Sequence, residues 1–91
     1  MRGADMTLTD EEIRVLLERA KSYMISRDKN LTGIKQALEI YNLLIKDAPL
    51  NPYFFSERAE VKYCLSTRIV QTELYDSAIE DIKYAIQLDP N

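Results

Sequence analysis

The chain states one helical pattern twice, 41 residues apart. In the stretch 75–91, apolar or small residues fall at Tyr75, Ala78, Ile79, Ile82, Ala85 and Ile86, ahead of Leu88-Asp89-Pro90-Asn91. Steps of three and four lay these side chains along one stripe of a helix. Ile34, Ala37, Leu38, Tyr41, Leu44 and Ile45 stand 41 positions earlier, as Pro49 does relative to Pro90. Each proline closes its helix, because the residue before a proline is pushed out of the α region. Ala78 and Ala85 are small where a neighbouring backbone must come close. A unit written twice predicts an all-α fold, two antiparallel helical hairpins stacked side by side as a short α-solenoid.

Local signals place the helices. Two glycines and three prolines in 91 residues are few breakers, which favours helices joined by short connections over a β fold. Thr9 and Glu12 have capping-box spacing, Leu8 and Ile13 suit a hydrophobic staple across it, and Asp10, Glu11 and Glu12 suit the positive end of a helix dipole. Ile13, Leu16, Leu17, Ala20, Tyr23 and Met24 continue as an amphipathic stripe, with the helix expected to end near 27–30. Gly33 then marks a turn, and a second helix runs from about 34 to 46. Asn51 is placed to cap a third helix with Pro52 at its first position. That helix carries Phe54, Phe55, Ala59, Val61, Tyr63, Cys64 and Leu65 towards Val70, and the turn into the fourth is expected near Thr72. The organisation expected is an N-terminal tail over 1–8, a first hairpin over 9–49 and a second over 50–91.

Composition removes several function classes. A net charge of −3 with interspersed signs offers no basic face for nucleic acid. No apolar run approaches the roughly 20 residues that cross a bilayer. A single cysteine cannot form an internal disulfide, and a cytoplasmic setting is expected. Without histidine there is no histidine general base or zinc ligand, and Cys64 lacks its usual activator, so it is expected in the core. No glycine-rich phosphate loop is present. The adjacent pairs Glu11/Glu12 and Glu80/Asp81 read as solvated helix faces. No catalysis and no cofactor are expected.

One segment approaches a metal site. Asp28, Asn30 and Thr32 alternate before Gly33, and Glu39 follows, close to the pattern of a calcium-binding helix–loop–helix. Calcium binding over residues 28–39 is therefore the alternative function, with Asp28, Asn30, Thr32 and Glu39 as ligands. Lys35 stands where such loops carry an apolar residue, and the second hairpin has no partner loop.

The two units resemble tetratricopeptide repeats. The second carries Asn51-Pro52, an aromatic at Phe55, Arg58-Ala59, Tyr75-Asp76-Ser77-Ala78-Ile79 and the tail Ala85-Ile86-Gln87-Leu88-Asp89-Pro90-Asn91. The first offers Ala20, Tyr23, Ala37, Tyr41 and Pro49, and the glutamate-arginine-alanine triplet at 18–20 recurs at 57–59. The spacing departs from the family's repeat of about 34 residues. Ala20 to Ala37 is 17 residues and Ala59 to Ala78 is 19, a surplus that implies longer first helices or longer turns.

The resemblance implies a non-catalytic scaffold or adaptor. The first helix of each hairpin would line a concave surface for a peptide segment or helix of another protein. Helical phase assigns Arg14, Leu17, Lys21 and Met24 to that surface from one helix, and Tyr53, Ser56, Glu60 and Tyr63 from the other. Tyr23, Tyr41, Phe55 and Tyr75 are expected to be packing residues. A co-chaperone role would need an asparagine just before Arg58, where Glu57 instead repels the carboxylate it should hold. Arrays of this kind generally need three or more units, so the chain is expected to be part of a longer repeat protein or to cover its last hairpin in a homo-oligomer. A purely architectural segment with an unused groove is a further reading.

Overall fold

The structure is a computed structural model, and it describes residues 7–26 and 31–90. All its regular structure is helical: α1 (Asp10–Ile25), α2 (Leu31–Asp47), α3 (Pro52–Ile69) and α4 (Thr72–Leu88). Among the described residues no helix is long and apolar enough to cross a membrane.

The helix starts follow their local chemistry. The Glu12 amide donates to Thr9 Oγ1 at 3.1 Å and the Thr9 amide donates to Glu12 Oε1 at 2.8 Å, closing the capping box. Leu8 and Ile13 are both partly buried against the core. The Leu8 amide also donates to Asp47 Oδ1 at 2.8 Å, tying the start of α1 to the end of α2. At α3 the Asn51 side chain accepts from the amides of Tyr53 and Phe54 at 2.9 and 3.4 Å, with Pro52 in the first turn.

Two boundaries differ from expectation: α1 ends at Ile25, short of 27–30, and α2 starts ahead of Gly33. Gly33 does not mark a turn: α2 already begins at Leu31, Gly33 is buried within its first turn, and no described glycine has positive φ. The start of α2 also bears on the calcium pattern. Asp28 and Asn30 lie outside the described residues, whereas Thr32 and Glu39 both belong to α2. Seven residues of helix separate those two, about 10 Å along the axis, so neither stands in an interhelical loop.

The α3–α4 turn falls beside Thr72, as expected; it is made by Val70 in the left-handed region, φ 53° and ψ 58°, and by Gln71 as an N-cap with no side-chain hydrogen bond. A β-branched residue there is strained by about 1–2 kcal/mol. Val70 is 84% exposed, so its side chain recovers little by packing. Val70→Gly is expected to raise folding stability by about 1 kcal/mol, a rise of several degrees in thermal midpoint. An unchanged or lower midpoint contradicts the assignment.

Under the 41-residue shift both ends of α2 coincide with both ends of α4: Leu31 with Thr72 and Asp47 with Leu88. The 41-residue period is taken up mainly by the helices, which are 16 to 18 residues long. The α3–α4 and α2–α3 connections are short, residues 70–71 and 48–51.

Packing runs in chain order: α1 on α2, α2 on α3, and α3 on α4, the last the most extensive contact. The molecule is accordingly elongated, 44 × 29 × 23 Å, with a Cα radius of gyration of 13.6 Å against about 12 Å for a compact chain of this length. Flanked on both sides, α2 supplies the centre of the core through Ile34, Ala37, Tyr41 and Leu44, all no more than 1% exposed. Phe54, Phe55, Val61 and Leu65 of α3 pack into the same cluster. Ala37 and Ala78 are both buried, as their small size predicts.

The α4 stripe is only half covered. Ala78 and Ala85 are buried, but Tyr75, Ile82 and Ile86 are exposed. The expectation that Tyr75 is a packing residue therefore fails, because no further described helix lies over that face. Cys64 is half-buried rather than fully enclosed.

Candidate functional site

The open face of α4 and the adjoining face of α3 form a groove. One part is lined by Ala59, Glu60, Tyr63, Tyr75, Ala78 and Ile79. The other is lined by Pro52, Tyr53, Ala85, Ile86 and Asp89, and Ser56 with Ile82 is common to both. Ala59 and Ala78 make its floor, being 2% and 3% exposed. Aromatic rings mark both ends, Tyr53 at one and the Tyr63–Tyr75 pair, 6.0 Å between centroids, at the other.

A smaller depression lies where α1, α2 and α3 meet. Lys21 and Met24 of α1 face Tyr41 of α2 and Glu57, Glu60 and Val61 of α3 across it. Glu60 lines both openings. The eight residues assigned to a binding surface therefore divide. Tyr53, Ser56, Glu60 and Tyr63 line the α3–α4 groove, and Lys21 and Met24 join Glu60 at the α1–α3 junction. Leu17 is half-buried against the core. Arg14 lines neither opening: it is on the exposed side of α1, paired with Glu11 and, at 2.9 Å, with Glu18.

Electrostatics at the junction are set by burial. The Glu57 carboxyl is raised above its ordinary value, first by burial and then by the charge of Glu60, with Lys21 and the Tyr41 hydroxyl acting in the opposite sense. Tyr41 donates to Glu57 Oε1 over a long 3.5 Å, and its own hydroxyl is raised far above the usual tyrosine range, chiefly by burial. A raised carboxyl binds its proton more tightly when folded than when unfolded. Stability therefore declines as pH rises from the ordinary glutamate value through the folded one. Glu57→Gln is expected to be more stable than the parent at pH 7, with the difference vanishing at pH 4. Thermal melts at the two pH values check this; a variant less stable at pH 7 contradicts it.

Beneath the groove, on the α2-facing side of α3, lies a charge cluster that sequence reasoning missed. Arg58 Nε and Nη2 donate to the two carboxylate oxygens of Asp81, each at 2.8 Å. Lys62 Nζ lies 2.8 Å from Asp81 Oδ2 and donates to Ser77 Oγ at 2.7 Å. Arg58 Nη1 reaches Asn42 of α2 at 3.0 Å, and the guanidinium lies 5.4 Å from the Phe55 ring centroid. Asp81 is thus buried, not part of a solvated pair with Glu80. Burial raises its carboxyl, but the hydrogen bonds and charges of Arg58 and Lys62 outweigh that, leaving it below the ordinary aspartate value.

Sequence reasoning also missed Ile82 and Ile86 as groove residues. Their signal was present in the repeat, where they match Tyr41 and Ile45, residues that only a following helix can cover. Tyrosine, isoleucine, serine and a single glutamate along an open groove offer shape, apolar area and hydrogen bonds for binding. Among the described residues no three histidine, cysteine, aspartate or glutamate side chains gather to hold a metal ion. Comparison with protein-family models gives no match, and neither curated proteins nor solved structures give one.

Proposed function

We propose that the chain is a non-catalytic protein–protein interaction module, two stacked hairpins of the tetratricopeptide kind, whose α3–α4 groove receives a helix of another chain. The observation that carries this reading is the unequal fate of equivalent positions. Ile34, Tyr41 and Ile45 are 0%, 1% and 9% exposed, while Tyr75, Ile82 and Ile86, 41 residues on, are 47%, 46% and 57% exposed. In the first hairpin that face is filled by α3. The second hairpin presents the same face to solvent, so a helix of similar shape has a seat there. Tyr53 and Tyr63 supply aromatic rings of the sort enriched at such interfaces, and Ser56 adds a hydroxyl between them.

A capped helical peptide spanning residues 51–69, with Cys64→Ser to prevent oxidation, is the probe, used with and without a reversed charge at Glu57. At least one form is expected to bind the intact chain with micromolar affinity, and Ile82→Asp, at an exposed position, is expected to weaken it about tenfold or more without altering the circular dichroism. No binding of either form at about 1 mM, or binding indifferent to Ile82→Asp, overturns the reading.

A further inference from the structure

The two hairpins differ at one charged position, and the difference selects the occupant. Lys21 in α1 matches Glu60 in α3, 39 residues on, as Ala20 matches Ala59. In the first hairpin Lys21 and Glu57 of the covering helix both line the α1–α3 junction without forming an ion pair, and the Lys21 charge eases ionisation of Glu57 against burial and the charge of Glu60. Phe54, Val61 and Leu65, at −3, +4 and +8 from Glu57, share its helix face and are buried. The first groove is therefore closed by a helix that sets an acid at the same junction as a base, framed by apolar residues at fixed steps.

In the second hairpin the sign is inverted. Glu60 occupies the lysine's place, and among the described residues the only other charged one lining the groove, Asp89, is also acidic. We propose that the α3–α4 groove takes an amphipathic helix of a different protein that carries a lysine or arginine where α3 carries Glu57, with apolar residues three before, four after and eight after it. The inference rests on the groove reading above and adds the chemistry of the partner.

Charge also argues against a second copy of this chain as the occupant. In head-to-tail stacking the seat would be filled by the partner's α1, where Glu18 matches Glu57 in the repeated triplet. That arrangement sets Glu18 against Glu60. Docking α3 of another copy sets Glu57 against Glu60. Like charges juxtaposed at an interface are strongly unfavourable and suppress the wrong partner.

The test compares two capped peptides of residues 51–69, both with Cys64→Ser, one keeping Glu57 and one with Glu57→Lys. Each is titrated into the intact chain by fluorescence anisotropy at low and high salt. The Glu57→Lys peptide is expected to bind about tenfold more tightly at low salt, with the ratio shrinking as salt screens the pair. In the Glu60→Lys protein, whose fold is checked by its melting curve, the preference is expected to reverse. Equal affinities, a preference for the Glu57 peptide, or a preference unchanged by Glu60→Lys overturns the inference while leaving the groove reading standing. Binding of neither peptide removes both. A stable dimer of the chain alone at micromolar concentration, dissociated by Ile82→Asp, overturns the inference in favour of a second copy.

Discussion

Asp81→Ala is expected to destabilise the protein by about 3–5 kcal/mol, a large share of the total stability of a domain of this size. The side chains of Asp81, Arg58 and Lys62 are 8%, 19% and 12% exposed, so the aspartate is the counter-charge for two cations that water barely reaches. Removing it leaves both uncompensated. The loss falls on the most extensive helix contact in the molecule, α3 on α4, and reaches α2 through the Arg58–Asn42 bond. The pH dependence has the opposite sign to that of Glu57. A carboxyl lowered by folding contributes stability above its ordinary value of about 3.8, and the contribution is lost as pH falls from there through the folded value. Denaturant titration of Asp81→Ala at neutral pH checks the main effect. A change below 1 kcal/mol would show that solvent reaches the cluster.

The second large effect is a contrast between repeat equivalents. Tyr41→Ala is expected to cost about 3–5 kcal/mol, because a large side chain only 1% exposed leaves a cavity between α2 and α3. Ile82→Ala, at the matching place 41 residues on, is expected to cost less than about 1 kcal/mol, since Ile82 is 46% exposed. The same Ile82→Ala change is expected to weaken the bound peptide, whose apolar residues lose a contact. Equal destabilisation by the two substitutions would mean that α4 is covered in solution as α2 is.

Features decided within one turn of helix were legible before the fold was known. Thr9 with Glu12, Asn51 with Pro52, and the doubled stripe carry their own short-range chemistry, and the structure places caps and helices accordingly. Features decided between helices were not. Periodicity shows that Tyr75, Ile82 and Ile86 share a stripe with Ala78, but whether a neighbour covers the stripe is a matter of packing. Asp81 looked like half of a solvated pair because its partners Arg58 and Lys62 lie on another helix, 23 and 19 residues away in the chain. The α3–α4 turn carried no glycine or proline because Val70 is held in the left-handed region by the helices on either side of it, against its own preference. Gly33 misled for the converse reason: a residue that often ends helices is, here, buried inside one.

The isoleucine methyl groups give the most direct test of the claim that the second hairpin repeats the first with its outer face left open. Isotope-labelled chain titrated with the Glu57→Lys peptide is expected to show methyl NMR shifts at Ile79, Ile82 and Ile86, with Ile34 and Ile45 unmoved beneath α3 and Ile40 unmoved on the side of α2 that faces α1. Shifts at the α2 methyls with none on α4 would contradict it.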